Sequence, residues 1–399
     1  MRFRDQMAVT LLVQGGGAIA ALGAIVLLGA ALGPAAQGLF SRTKAEVEFV
    51  GALAMMGLPQ ALFYFVRCAR LTPRSALVFT AAAAMLGAAS AVAYARLAHS
   101  WGWLESLSFA LAVGLFALHG NLRSLVLALR STLWFNAVTA VPQLLIVASV
   151  LILIVLGDLD GQRSAIALAV SFGMAATFAG GLLTVHGQGA LEEGESVGPA
   201  RVLGYGVASW TSAAAAGLSV VLIMRIVEAR IGPGALGVFS AALVVMQMLL
   251  TPLNYAAPLL FRRWLDSPEA RAPMLMACTA AASILVVALL VHLVPWPDAA
   301  IALLGPYSDL RLLVGWMLVA ASAEAMTRIL NVAANAAGRP WVPAGAELVR
   351  LFTLIAAAMF LTTTSIQAFA VVWAASAVAA SLFVVTLHRM RRLVSRVGR

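Results

Sequence analysis

The sequence predicts an all-α membrane protein, with twelve transmembrane helices in two pseudo-symmetric six-helix lobes. Its composition is the first reason: 62% of the residues are hydrophobic and 11% are charged, against roughly 45–50% and about 25% in soluble globular proteins. The second reason is a series of apolar runs of about 20 residues, the length that a helix needs to cross a bilayer. The third is a short motif that occurs twice, half a chain apart. Because lipid offers no hydrogen-bond partners to the backbone, each apolar run is expected to be a helix.

The duplicated motif joins two apolar runs in each half of the chain. Residues 33–41 read Gly-Pro-Ala-Ala-Gln-Gly-Leu-Phe-Ser, and residues 232–240 read Gly-Pro-Gly-Ala-Leu-Gly-Val-Phe-Ser. The two copies start 232 − 33 = 199 positions apart in a chain of 399 residues. Pro59 and Pro258 repeat the same offset. The repeat predicts two similar halves, and the proline predicts a bend in the second helix.

The apolar runs divide the chain into an N-terminal lobe over 1–185, a cytoplasmic linker over 186–202 and a C-terminal lobe over 203–399. The last lobe ends in a basic cytoplasmic tail. Glycine, acidic residues and a proline are typical of the linker. The predicted spans cover residues 8–31, 45–66, 76–98, 103–126, 133–156, 163–185, 203–226, 236–258, 272–294, 310–336, 343–362 and 365–388.

Basic residues set the expected orientation. With the N-terminus inside, most of the arginines flank the cytoplasmic ends of the spans, as the positive-inside rule requires. We therefore expect both termini in the cytoplasm. The net charge of +10 is then explained by helix flanks held near anionic headgroups, so membrane lipids, and not nucleic acid, are the expected partners.

Several kinds of chemistry are not expected from this sequence. Lys44, the single lysine, follows Thr43, whereas a nucleotide-binding Walker A loop needs Gly-Lys-Ser/Thr. The histidines fall in separate segments without metal-ligand spacing, and Cys68 and Cys278 lie in different parts of the chain. We expect no catalytic residues, no metal and no cofactor, and hence a protein that is not an enzyme.

Ionisable side chains within a membrane span are costly and are candidate functional groups by default. The predicted tenth helix carries four polar residues, Glu324, Arg328, Asn331 and Asn335. At 100° per residue the last three lie at about 40°, −20° and 20° from the first, so the four form one narrow stripe. This stripe is the strongest candidate site in the sequence.

The fourth predicted helix repeats the pattern. It carries His119, Arg123 and Arg130, which precede Glu324, Arg328 and Asn335 by 205 positions each. The eleventh predicted helix adds Glu347 and Arg350, three residues apart.

Two hypotheses compete for these charges. Arg123, Arg328, Arg130 and Arg350 could form a path for an anionic cargo, because a guanidinium is a planar fork of donors that suits phosphate. Alternatively, the acids and arginines on one helix neutralise each other, and arginines near a span end extend to the headgroups.

Other polar residues extend the candidate site. Glu324 and Glu347 are the candidates for ion coupling, since they are the acids expected deep in spans. Asn331, Gln14 and Asn254 are further candidates for cargo contact, with hydrogen bonding between helices as the alternative.

At this point the motifs resemble a known family. The chain has a glutamine in its first helix (Gln14), Leu-Gly-Pro-x-x-x-Gly-Leu-Phe over 32–40 and Gly-Leu-Pro-x-Ala-Leu over 57–62. Together these are similar to the N-terminal region of polysaccharide-biosynthesis flippases, the Wzx-like members of the multidrug/oligosaccharidyl-lipid/polysaccharide exporter (MOP) superfamily. Residues 231–241, with two prolines after them, resemble the corresponding region of the second lobe.

The resemblance implies a MATE/MOP-like fold with a central cavity between two six-helix lobes and transport by alternating access. The implied cargo is an undecaprenyl-diphosphate-linked oligosaccharide, moved across the bacterial inner membrane for surface polysaccharide biosynthesis. Other polysaccharide assembly proteins would be further partners. One departure is that the span of the first helix carries no charge, so the acidic first-helix ion site of some multidrug exporters is absent.

Two alternatives stay open. A cation-coupled antiporter of drugs or small molecules could use the same fold, although an acid-lined aromatic cavity would suit it better than mixed charges with arginines. A polytopic membrane enzyme of glycan assembly is less favoured, because such enzymes expose catalytic residues on larger outer loops than this sequence provides.

Overall fold

The computed structural model describes residues 3–67, 70–99, 101–157, 159–185, 197–266, 272–293, 305–361 and 365–397. The predicted linker lies outside the described residues over 186–196, and so do residues 398–399 of the predicted basic tail. The helices are α1 Phe3–Thr10, α2 Gly16–Leu32, α3 Pro34–Met55, α4 Leu58–Arg67, α5 Pro73–Ala98, α6 Trp103–Leu129, α7 Thr132–Leu156, α8 Gly161–Val185, α9 Pro199–Ile231, α10 Pro233–Asp266, α11 Pro273–Leu293, α12 Leu310–Ala336, α13 Trp341–Phe360 and α14 Ile366–Val397. A π-helical turn, Leu11–Gly15, joins α1 to α2.

Eleven stretches of helix in the described part of the chain are long and apolar enough to cross a membrane. Helices α3 and α4 together pass the same test as one bent span, which brings the number to twelve. The predicted all-α fold class is therefore confirmed. The first span includes α1, the π-helical turn and α2, because the chain continues through the turn without leaving the helical region.

The chain forms two compact units. One unit comprises Met1–Leu32 and Leu39–Gly217, and the other comprises Gly33–Gly38 and Leu218–Arg399. In the first unit α6 packs against α5, α8, α4 and α7. In the second unit α12 packs against α10, α11, α14 and α13. These two central helices are the ones that carry the repeated charged residues of the sequence.

The duplicated motif has the same structural role at both places. Gly33 and Gly232 have φ values of +90° and +115°, a backbone conformation that glycine adopts without steric cost. The proline that follows each of them opens the next helix, α3 or α10, at the position where a helix tolerates proline best. The phenylalanine of each copy is fully buried. The motif is therefore a sharp helix-to-helix reversal with a buried anchor.

The middle glycines of the two copies meet each other. A Cβ atom on Gly38 would lie 2.8 Å from the backbone nitrogen of Gly237. A Cβ atom on Gly237 would lie 1.9 Å from the carbonyl oxygen of Pro34. Within the second unit, α10 thus packs against residues 34–38 so closely that only glycine fits at the two contact positions.

The predicted bend in the second span occurs two residues before Pro59. Met56 and Gly57 have φ values of +48° and +71°, and α3 and α4 meet at 48°. Pro59 is the second residue of α4, where it causes no clash. The indole of Trp210 donates to the carbonyl oxygen of Leu53 at 2.9 Å, and so satisfies an acceptor next to the break. Pro258, the counterpart of Pro59, lies inside the continuous helix α10.

Tyr307 lies outside the spans, in the short 3₁₀ turn Gly305–Tyr307 before α12. Its hydroxyl donates to Oε1 of Gln37 at 2.6 Å, and burial raises the pKa of Tyr307 to about 12 from 10.0. Because burial disfavours the charged phenolate, the contribution of Tyr307 to stability is fully present below pH 10 and is lost as the pH rises through about 12. We expect the absorbance titration of the folded protein to lose the equivalent of one late-ionising tyrosine in Tyr307→Phe. The same late-ionising absorbance in the wild type and in Tyr307→Phe would contradict this assignment.

Candidate functional site

The centre of the second unit holds a charged cluster, which we call the arginine–glutamate cluster: Asn254 on α10, Glu324 and Arg328 on α12, and Glu347 and Arg350 on α13. Glu324 lies near the middle of α12, at the depth where an ionised side chain is most costly. With all four charged groups ionised, the cluster is neutral. The sequence grouped these residues by helix, and the structure brings them together across three helices.

Glu324 is the centre of the cluster. Its Oε2 accepts a hydrogen bond from Nη2 of Arg328 at 2.7 Å, and its Oε1 accepts one from Nη2 of Arg350 at 2.6 Å. Each carboxylate oxygen therefore has its own guanidinium donor. The first contact is the i,i+4 pair that the spacing on α12 predicts, and the second joins α12 to α13. Charge-assisted bonds of this length are the stronger class of hydrogen bond.

Arg350 is held from three sides. Its Nη2 donates to Glu324, its Nη1 lies 3.9 Å from Oε2 of Glu347, and its guanidinium carbon lies 4.1 Å from the ring centroid of Trp373 on α14. The indole nitrogen of Trp373 in turn donates to the sulfur of Met246 at 3.5 Å. A desolvated cation over an indole face is worth about 2 kcal/mol or more. Arg350 is thus a buried counter-ion and a structural link between α12, α13 and α14.

Arg328 has a different environment. Its side chain is 30% exposed, against 8% for Arg350. Its Nη1 donates to Oδ1 of Asn254, while its Nη2 donates to Glu324. Two fixed acceptors on two helices orient this guanidinium, and part of its surface stays accessible. Of the two arginines in the cluster, Arg328 is the one that a ligand can reach.

Two oxygen atoms beside the arginines are acceptors without a donor. Oε2 of Glu347 is buried and has no hydrogen-bond partner among the described residues, although it lies at ion-pair distance from Arg350. Oδ1 of Asn331, one turn beyond Arg328 on α12, is buried and has no partner in the described part of the chain either. Glu347 is therefore the acid with an oxygen that can accept a further hydrogen bond, whereas each oxygen of Glu324 already accepts one from an arginine.

The predicted site residues of the first half lie in a different part of the molecule, in the first unit. Gln14 is buried in the π-helical turn and donates to Oδ1 of Asn136 on α7 at 2.6 Å. Asn136 and the hydroxyl of Thr10 also exchange hydrogen bonds, at 3.0 and 3.2 Å. These polar side chains join the first helix to α7 by hydrogen bonds. Such contacts fit the alternative interpretation of Gln14, in which it holds two helices together. π-Helical turns often occur at functional sites.

The described contacts of Arg123 and Arg130 are with an aromatic ring and with a backbone carbonyl group. The guanidinium carbon of Arg123 is 6.0 Å from the ring centroid of Phe135, and Nη2 of Arg130 donates to the carbonyl oxygen of Leu182 at 3.4 Å. His119 is buried and contacts the carbonyl oxygen of Val138 at 3.1 Å. The sequence offset thus pairs Arg123 and Arg328, which both lie on the central helix of their unit.

Two residues of these networks were not singled out from the sequence. Trp373 supports Arg350, and Asn136 is the partner of Gln14. A single asparagine inside the apolar run 133–156 was a usable signal, because such a residue needs a polar partner in lipid. Nothing in the spacing of Trp373 indicates its role. Among the described residues, no group of three or more His, Cys, Asp or Glu side chains could hold a metal ion.

Solved structures with the same architecture align with nearly the whole length of this chain. A mutant form of the Vibrio cholerae MATE transporter VcmN matches with a TM-score of 0.67 and 16% identity over 98% of this chain and 97% of its own. The fold is that of the MATE transporters of the MOP superfamily. An inward-facing multidrug resistance MATE family transporter of the MOP superfamily matches this MATE/MOP fold with a TM-score of 0.65 and 13% identity over 98% of both chains.

A third match with the MATE/MOP fold comes from Pyrococcus furiosus. This MOP superfamily transporter, described by the reverse polarity of its binding pocket, has a TM-score of 0.63 and 12% identity over 97% of this chain and 93% of its own. No protein-family model and no curated protein matches the chain.

Proposed function

We propose that this protein is a membrane transporter that works by alternating access and moves a lipid-linked (undecaprenyl-diphosphate) oligosaccharide across the bacterial inner membrane. The observation that carries the proposal is the partly exposed Arg328, which lies about one turn from the middle of a membrane span and is oriented by Glu324 and Asn254. An exposed guanidinium at that depth is too costly to face acyl chains, so its accessible side faces water or a polar ligand. A diphosphate is the group of this cargo that a guanidinium binds best.

Asn331 and Asn254 complete the proposed anion site beside Arg328. Asn331 lies one turn away and is partly exposed, and its amide group suits the sugar hydroxyls next to the phosphates. We assign Arg350 a supporting role, in which it holds Glu324 in position, because it is buried and already bound to Glu324. In the first unit, Gln14, Arg123 and Arg130 are proposed to line the rest of the path, and other polysaccharide assembly proteins are proposed partners on the membrane.

We propose Glu347, in preference to Glu324, as the residue that couples transport to an ion. A carboxylate that already accepts two charge-assisted hydrogen bonds gains little from a proton or a sodium ion, whereas Glu347 has an oxygen without a donor. Basic residues on the predicted inner flanks support an orientation with both termini in the cytoplasm.

A cation-coupled drug antiporter is the second candidate, because solved structures with this fold include multidrug resistance transporters. The Pyrococcus furiosus protein, whose pocket has reversed polarity and a different suggested function, supports the view that cargo charge varies on this fold. A drug antiporter would bind cations, and the accessible charge of the arginine–glutamate cluster is a guanidinium.

Replacement of Arg328 tests the proposed cargo. In proteoliposomes we expect Arg328→Gln to lower the rate of lipid-linked oligosaccharide flipping at least about tenfold, the loss that about 1.4 kcal/mol corresponds to. Arg311→Gln is the matched control, since Arg311 is an exposed residue at the start of the same helix, and we expect it to keep the wild-type rate. Uptake of a fluorescent cationic dye, measured in the same vesicles, separates the candidates. Dye transport by the wild type without oligosaccharide flipping would favour the antiporter.

A further inference from the structure

A groove of about 640 Å³ runs along the first unit between α6 and α8. Its walls are mainly large apolar side chains: Leu111, Leu115, Ile166, Val170, Met174 and Phe178. Gly173 lies at its floor, where a Cβ atom would come within 3.1 Å of Leu115. The arginine–glutamate cluster lies in the other unit, so this groove is a separate feature of the molecule.

The side chains that line the groove offer no free hydrogen-bond donor to an occupant. Its two hydroxyl groups are satisfied within their own helices: Ser108 donates to the carbonyl oxygen of Leu104, and Thr177 donates to that of Gly173, both at 2.9 Å. A polar occupant would lose its hydration without compensation. Both helices are candidate membrane spans, so a hydrocarbon chain from the bilayer is the occupant that suits the groove.

The length of the groove fits one acyl chain. The stretch of α8 from Ile166 to Phe178 rises about 18 Å, and one leaflet of hydrocarbon is about 15 Å thick, half of the bilayer core. The groove starts about one and a half turns inside the N-terminus of each helix, at Ser108 and at Ile166. The two N-termini lie together, because a Cβ atom on Gly161 would be 3.2 Å from the ring of Trp101.

Charges of both signs lie above this end of the groove. Arg163, one turn before Ile166 on α8, has a side chain that is 41% exposed, and that of Asp160 beside it is 54% exposed. Oδ1 of Asp160 accepts a hydrogen bond from the backbone N–H of Arg163 at 2.7 Å. The guanidinium itself lies 3.9 Å from Oδ2 of Asp160, a distance at which an exposed pair contributes little. Glu105, one turn before Ser108 on α6, adds a second carboxylate. A cation and carboxylates at one rim complement a headgroup that contains both phosphate and ammonium.

We propose that the α6/α8 groove binds one acyl chain of a zwitterionic phospholipid of the phosphatidylethanolamine class. The phosphate of this lipid lies next to Arg163 and its ammonium group lies next to Asp160 and Glu105. The lipid is a resident component of the first unit and not the transported cargo, so the site does not depend on the proposed function.

The test is native mass spectrometry of the purified protein after exchange into mixed micelles with equal amounts of phosphatidylethanolamine, phosphatidylglycerol and an isoprenyl phosphate. We expect one phosphatidylethanolamine per wild-type chain. Val170→Trp fills the groove from its exposed wall, and we expect it to lower that occupancy at least tenfold. Val155→Trp is the control, because Val155 is 85% exposed on α7 and is not part of the groove. We expect Val155→Trp to retain the lipid.

A headgroup variant completes the test. Arg163→Gln keeps the groove, and we expect it to reduce the preference for phosphatidylethanolamine severalfold. Equal occupancy in Val170→Trp and Val155→Trp would overturn the proposal. It would also be overturned if the wild type retained only detergent, or if Val170→Trp displaced phosphatidylglycerol or the isoprenyl phosphate as readily as phosphatidylethanolamine. A Val170→Trp protein that does not fold is replaced by Met174→Trp, which fills the same wall.

Discussion

Gly237→Ala is expected to destabilise the protein by at least about 2 kcal/mol, although alanine is the better helix former. The new Cβ atom would lie 1.9, 2.3 and 2.7 Å from the oxygen, carbonyl carbon and Cα of Pro34. All three are backbone atoms, so relief requires movement of a helix and not of a side chain. Added atoms in a packed interior typically cost about 1–3 kcal/mol, and a rigid backbone contact belongs at the upper end of that range. The measurement is the thermal midpoint of unfolding in a fixed detergent.

The same motif contains its own control. Gly234 lies three residues earlier on α10, and a Cβ atom there would meet nothing within 4 Å. We expect Gly234→Ala to leave stability unchanged or to raise it by up to about 1 kcal/mol, through helix propensity alone. Equal midpoints for Gly237→Ala and Gly234→Ala would show that α10 does not approach Pro34 as closely as the structure places it.

The sequence was sufficient to predict the elements and the repeat, because both depend on local rules. Hydropathy over about 20 residues locates a span, and Gly-Pro followed by a glycine marks the reversal between spans. The reason for the middle glycine of the motif was not predictable. Gly38 and Gly237 are 199 positions apart, and their contact depends on how residues 33–38 pack against α10 within the second unit.

The prolines show where the repeat fails as a guide. Pro59 and Pro258 occupy matching positions, yet the helix breaks only before Pro59. The residue two positions before Pro59 is Gly57, with a positive φ, whereas Ala256 occupies that position before Pro258. Alanine pays a steric penalty in the left-handed region that glycine avoids. The adjacent glycine, and not the proline, distinguishes the broken helix from the continuous one.

The sequence could predict contacts of the candidate site only between residues of the same helix. The spacing of Glu324 and Arg328 defines an i,i+4 pair, and the structure contains it. The spacing of Glu347 and Arg350 suggested a second closed pair, whereas Arg350 gives its hydrogen bond to Glu324 on the neighbouring helix. Partner choice between helices depends on their rotation and separation, which no pattern within one helix specifies.

Arg350→Leu and Glu324→Leu are each expected to destabilise the protein by about 3–5 kcal/mol, the usual cost of removing one partner from a buried ion pair. The first leaves Glu347 without a cation at ion-pair distance, and the second leaves two guanidinium groups facing each other without the carboxylate between them. Arg311→Leu, at the exposed start of α12, serves as the control and is expected to change stability little. The measurement is the free energy of unfolding of each variant in the same micelles.

The double variant Glu324→Leu/Arg350→Leu distinguishes an ion pair from two independent packing residues. It keeps the cluster neutral, with Arg328 and Glu347 as its remaining charges, and it fills the space with apolar side chains. Groups that interact directly show coupling of about 0.5–3 kcal/mol, so we expect the double variant to be more stable than the sum of the single losses predicts. Strict additivity would show that Glu324 and Arg350 stabilise the unit separately. Arg328 would then be oriented by Asn254 and Glu324 alone, without support from α13 and α14.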